Sequence, residues 1–90
     1  RVDNDTKGLY VAQVEGVDEV GELTFSRASP SLVIVDHTGV PDSLRGKGVG
    51  SALAERVVAD ARAEGFRIVP LCPFADTYIR ERPEEQDLLA

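Results

Sequence analysis

Cysteine and histidine are nearly missing from this 90-residue chain, which carries one of each, Cys72 and His37. A single cysteine rules out an internal disulfide and suits a reducing, cytoplasmic setting. No apolar run approaches the ~18 residues that a membrane-crossing helix needs, and no charged-then-apolar leader opens the chain. Neither a membrane partner nor a secretory route is expected. The chain starts at Arg1 rather than Met, so native sequence is expected ahead of it. Basic residues are few as well: 10 Lys and Arg stand against 16 Asp and Glu, for a net charge of −6. Nucleic-acid binders want a basic face, so that class of partner is not expected. The acidity serves solubility first, although it would suit a cationic substrate. No metal is expected. Repeats, low-complexity segments and linkers are absent, and a chain of this length makes one domain, taken here as residues 8–89. Its 42% apolar and 29% charged content is that of a folded domain rather than a disordered one. The core is modest, because so short a chain buries only about 60–65% of its unfolded surface. A monomer is expected.

Glycine and positive charge are concentrated in one place, Leu44-Arg45-Gly46-Lys47-Gly48-Val49-Gly50-Ser51-Ala52-Leu53. Alternating glycines let the backbone approach a ligand closely and take positive φ. Val49, Leu53, Val57 and Ala61 recur with a helical period, so the loop sits at a helix N-terminus. There, unpaired N–H groups and the helix dipole favour an anion. No acid lies between Asp42 and Glu55, although helices commonly start with one. A phosphate from outside is the simplest group to fill that place. A tight loop using glycine only for turn geometry is the plain alternative.

A P-loop pattern, G-x-x-x-x-G-K-[ST], is absent, and the dinucleotide fingerprint G-x-G-x-x-G fails in both glycine registers. A dinucleotide oxidoreductase is therefore a weak reading. Arg45-Gly46-Lys47-Gly48-Val49-Gly50 does fit R-x-x-G-x-G, which resembles the pyrophosphate-binding motif of the GNAT superfamily of N-acetyltransferases. The resemblance extends through His37-Thr38-Gly39-Val40-Pro41, Pro70-Leu71-Cys72-Pro73-Phe74-Ala75, Tyr78-Ile79 and Pro83-Glu84. Together these are similar to the small, single-domain acetyltransferase-like proteins of the YjdJ type. Members usually carry glutamate after the His-Thr pair; here Gly39 stands there, so a role for that carboxylate does not carry over.

Hydrophobic patterning predicts a first strand over about Gly8–Glu15 and a second over Glu19–Arg27, with residues 1–7 polar and frayed. Ala28-Ser29-Pro30 reads as a turn. The continuous run Leu32-Val33-Ile34-Val35 predicts a third strand, central and covered on both faces. A helix is expected over Gly48–Glu64 with Gly65 as its C-terminal cap. Ile68–Cys72 reads as a fourth strand, Phe74–Arg82 as a short helix and Glu84–Leu89 as a last turn. The order gives an α+β fold: a three-stranded antiparallel meander, a helix, a strand parallel to the third, and a helix. This is also what the GNAT resemblance implies. Pro70 and Pro73 mark either an edge strand or a fourth strand that leaves its neighbour, as in the splay that holds the cofactor in that superfamily.

The resemblance implies acetyl-CoA as cofactor. Backbone N–H groups from Gly46, Lys47, Gly48, Val49, Gly50 and Ser51 would cradle its pyrophosphate, with Arg45 or Lys47 adding charge. Strand groups around Asp36, Thr38 and Val40 would bind the pantetheine arm as an added strand does. His37 suits general-base work near neutrality, or it bonds a loop carbonyl structurally. Tyr78 matches a position where the superfamily often has a proton donor for the leaving thiolate, or it packs on a face shared with Phe74. Cys72 is a small buried hydrophobe or, at a helix start that lowers its pKa, a nucleophile for a covalent acetyl-cysteine route with His37 as base. Burial between Leu71 and Pro73 tips the expectation toward direct transfer. The function implied is acetyl-CoA-dependent N-acetylation of a small-molecule or peptide amine. The alternative is a non-enzymatic acyl-CoA-binding or sensing module.

Overall fold

The computed structural model describes residues 1–90. Five strands, β1 (Val2–Asp3), β2 (Lys7–Gln13), β3 (Val20–Ser29), β4 (Leu32–Gly39) and β5 (Arg67–Pro70), form one sheet in the order β1-β2-β3-β4-β5. The first four are antiparallel and β5 lies parallel to β4. Helix α1 (Val49–Glu64) makes the crossover between β4 and β5, and α2 (Pro73–Arg80) follows β5. This is the expected α+β arrangement. No helix is long and apolar enough to cross a membrane.

The core forms because one side-chain row of the sheet is apolar. Tyr10, Leu23, Phe25, Val33, Val35 and Ile68 join Leu53, Val57 and Ala61 of α1 and Ala75 and Ile79 of α2 in a single buried cluster. Both helices use the same sheet face, which corrects the expectation for β4. Val33 and Val35 are fully buried, whereas Leu32 and Ile34 remain half-exposed on the open face. A continuous apolar run thus serves here a strand covered on one side only.

The first residues also differ from expectation. Rather than fraying, Val2 and Asp3 pair with Leu9 and Gly8. Polar contacts hold them: Asn4 Oδ1 accepts the N–H groups of Thr6 and Lys7 at 2.9 Å each, and the Arg1 guanidinium reaches Asp60 of α1 at 3.0 Å. A search for apolar alternation cannot see such a tether. Ala28 and Ser29 belong to β3, and the turn is the two-residue Pro30-Ser31 connection, set by the Ser29–Leu32 pairing. Leu71 and Cys72 lie outside the fourth strand, which ends at Pro70.

One glycine fixes how α1 meets the sheet. A Cβ at Gly21 would collide with Val49 Cγ1, at the first turn of α1. Only glycine there lets the helix start, and the loop before it, lie close on β3. Gly21→Ala is expected to overpack this contact and destabilise the domain by about 1–3 kcal/mol. Thermal unfolding checks it, and an unchanged midpoint counts against this close approach.

Candidate functional site

The loop before α1 leaves most of its donors free. Gly46 and Gly48 take φ of +77° and +74°, a left-handed conformation in which side chains other than glycine are strained. The first helical bond runs from Ala52 N–H to the Gly48 carbonyl at 2.9 Å. The N–H groups of Gly46, Gly48, Val49, Gly50 and Ser51 find no acceptor in the protein, and α1 has neither a side-chain cap nor an acid in its first turn. Orphan donors in this arrangement make an anion site. They border a cleft of about 370 Å³ that Thr38, Val40, Arg45 and Phe74 also line. The Phe74 ring packs on Gly50, with Cζ 2.8 Å from where a Cβ would stand. Arg45 pairs with Asp42 at 3.0 Å, both exposed. Lys47 is exposed and lies outside the cleft lining, and its N–H is taken by the Leu44 carbonyl at 3.3 Å, so it does not join the backbone cradle expected of it.

The second half of the cleft is a strand edge without a neighbour. β4 and β5 pair from Leu32–Arg67 to Val35–Pro70 and no further. The N–H groups of Arg67 and Leu71 face β4, reaching the Ser31 and Val35 carbonyls at 2.8 and 3.1 Å; the Cys72 N–H also goes to Val35, at 3.2 Å, and Pro73, next in that phase, has no N–H to continue the ladder. β4 runs on alone through Asp36, His37, Thr38 and Gly39 on that side. The two strands therefore part where the prolines suggested. The edge-strand reading holds as well, since β5 is the last strand of the sheet and its other side carries only the Ile68–Leu89 bridge.

A β-bulge then decides what faces the gap. Phe25 pairs with Val35 and Thr24 with His37, so Asp36 is an extra residue on β4. Beyond it, Thr38 stands opposite buried Leu23 and faces the helices, while His37 stands opposite Thr24 on the open face. Asp36 accepts the Ser26 hydroxyl proton at 2.7 Å. Cys72 is 5% exposed and immediately precedes α2. Its sulfur lies 3.4 Å from Thr38 Oγ1, and its side-chain partner is thus Thr38, not His37. Burial pushes the Cys72 thiol up, but hydrogen bonds from the Thr38 hydroxyl and the backbone groups of Ala75, Phe74 and Thr38 outweigh it, leaving the pKa below the usual thiol value.

Two features now stand together: an orphan-donor loop at a helix start and a strand edge freed by a splayed partner. The sequence profile of GCN5-related N-acetyl-transferases matches residues 9–88. The chain belongs to this family. The solution structure of a GCN5-like protein from Staphylococcus aureus superposes with a TM-score of 0.71 at 30% identity, covering 99% of this chain and 85% of that one. Among curated proteins, Protein NATD1 of Xenopus tropicalis is 27% identical over 89 residues, covering 98% of this chain and 82% of the relative. Its Homo sapiens counterpart is 26% identical, with 98% and 79% covered.

The candidate side chains of this GCN5-related chain lie on both faces of the sheet. His37 opens on a separate hollow of about 380 Å³ with Glu22, Thr24 and Gly39. A Cβ at Gly39 would stand 3.5 Å from His37 Nε2, so no carboxylate sits beside the imidazole at that position. Tyr78 is half-buried against the core, and the Arg82 guanidinium stacks 3.7 Å from its ring centroid. Burial raises its phenol pKa, with Arg82 opposing and Glu55, Glu85 and Glu84 adding to the rise. The orphan donors and the free edge fit a diphosphate carrying an extended amide arm. The contact that sequence reasoning missed is Thr38 with Cys72. Thr38 was expected to act only through its backbone, and nothing local to the sequence announces the bulge.

Proposed function

We propose that this chain is an acetyl-CoA-dependent N-acetyltransferase that acts on a small-molecule or peptide amine. The observation that carries the reading is the set of five unpartnered N–H groups from Gly46 to Ser51, opening on the cleft where β4 loses β5. Those groups would hold the pyrophosphate, with Arg45 and Lys47 contributing charge and the β4 edge from Asp36 to Val40 binding the pantetheine arm. The bound cofactor supplies an activated acetyl thioester. A monomer in the cytoplasm, where the lone thiol stays reduced, completes the picture.

The lowered pKa of Cys72 favours the covalent route over the direct transfer that burial alone suggested. Cys72 would act as a thiolate toward the acetyl carbonyl carbon: a bond from its sulfur would form as the bond to the sulfur of coenzyme A breaks, and that departing thiolate would take up, through water, the proton that Cys72 had released. The amine then attacks the acetyl-Cys72 carbonyl. A C–N bond forms, the amine gives up a proton, and Cys72 leaves as thiolate. His37 opens on the separate hollow across the sheet and not on the sulfur, so the proton of the attacking amine would pass to water. A backbone N–H at the splay stabilises the oxyanion.

A non-enzymatic acyl-CoA-binding or sensing module is favoured by one observation, the missing carboxylate at Gly39 beside His37. A panel of polyamines, peptide N-termini and lysine peptides, assayed with acetyl-CoA, separates the two. Acetylation of at least one amine, matched by release of coenzyme A, is the expected result. Binding of acetyl-CoA with no amine acetylated would establish the sensing module instead.

A further inference from the structure

We propose that Thr38 is a positioning residue for the Cys72 sulfur, aimed there by the one-residue bulge at Asp36. The inference rests on the reading of Cys72 as the acyl-accepting nucleophile and adds what prepares it. Side chains alternate along a strand, so a regular β4 would continue the core-facing row Val33, Val35 with His37 and Gly39. The extra residue shifts the phase. Thr38 then takes the core-facing place opposite Leu23, and His37 turns to the open face with Thr24. The bulge therefore exchanges an imidazole for a hydroxyl at the sulfur.

A hydroxyl suits this position because it can reverse its role. In the thiol form S–H donates to Thr38 Oγ1 at 3.4 Å. Once the proton leaves, the Thr38 O–H rotates to donate to the thiolate. Thr38 makes no other side-chain hydrogen bond, so the hydroxyl is free for this exchange. Cys72 is the N-cap residue of α2 yet makes no side-chain capping hydrogen bond there, so Thr38 is the sulfur's hydrogen-bond partner. The sulfur is thus held from β4, through Thr38, at the point where the strands part.

The test uses Thr38→Val, which keeps the branched shape favoured in strands and removes the hydroxyl, and Thr38→Ser, which restores it. Cys72 is the only thiol, so iodoacetamide alkylation of the whole chain across a pH series reads its ionisation directly. Thr38→Val is expected to move the midpoint upward by about one pH unit, equivalent to roughly tenfold less thiolate below the midpoint. Thr38→Ser should return it toward wild type. Thr38→Ala provides the same loss should the valine variant fold poorly. An unmoved profile in a folded variant lacking the hydroxyl overturns the inference. A second readout is hydroxylamine-labile acetyl on Cys72 after incubation with acetyl-CoA. A shifted alkylation profile without any acetyl adduct on wild type upholds Thr38 and overturns the covalent route. An adduct on wild type with an unmoved profile does the reverse.

Discussion

Gly48→Asp abolishes coenzyme A binding in a chain that still folds. Gly48 caps α1 with φ at +74°, and nothing lies within 4 Å of a Cβ built there. The substitution therefore meets space and not a clash. Its structural cost is the left-handed backbone alone, about 1–2 kcal/mol and less for Asp, which visits that region more readily than most residues. The cost to an incoming phosphate is larger. Like charges about 4 Å apart repel by roughly 4 kcal/mol in a partly screened setting, so a loss of a hundred-fold or more is expected. Gly48→Asn separates charge from strain, because it is close in shape and neutral. It should keep most of the binding. Calorimetry with coenzyme A on both variants, alongside circular dichroism, decides the matter. Wild-type affinity in folded Gly48→Asp would place the cofactor elsewhere.

Replacing Cys72 by Ala separates covalent from direct transfer. On the covalent route, wild type gains one acetyl group from acetyl-CoA, hydroxylamine removes it, and Cys72→Ala neither gains it nor turns over. Kinetics are then ping-pong, because coenzyme A leaves before the amine reacts. On the direct route, Cys72→Ala keeps most activity and Tyr78→Phe loses about 10²–10⁴-fold, the usual scale of a general acid. Tyr78 holds its ring under Arg82 in the structure, and the expected outcome is a small effect of Tyr78→Phe and a near-complete loss in Cys72→Ala. The opposite pattern would return the mechanism to direct attack. If neither change lowers turnover and no amine is acetylated, the binding module is the better account.

The parts of the site that sequence reveals are those that local chemistry decides. Gly48 and Gly65 bound α1 because only glycine takes left-handed φ freely at both ends. Pro73 stops the ladder between β5 and β4 because, in phase with Arg67 and Leu71, it has no N–H to pair. The rest depends on neighbours distant in sequence. The bulge at Asp36 exists only in the pairing with Thr24 and Phe25, and so the exchange of His37 for Thr38 at the sulfur cannot be read along β4. β1 rests on Asn4 and on an ion pair from Arg1 to Asp60, 59 residues away. The bare face of Leu32 and Ile34 follows from two helices sharing one side, which a local apolar run does not encode.

The four-residue pairing of β5 has a dynamic consequence. Its outer edge carries only a single bridge, from Ile68 to Leu89, so β5 is the least anchored of the longer strands. Segments with few ladder bonds open at lower free energy than the domain as a whole. Cys72 hangs from the end of that strand, whereas the glycine loop is built onto a 16-residue helix packed along the core. One half of the cleft is thus built on a long, well-packed helix and the other on a strand with a short ladder. The β5 amides are therefore expected to exchange with solvent sooner than those of α1, and a ligand long enough to span both halves of the cleft is expected to slow them.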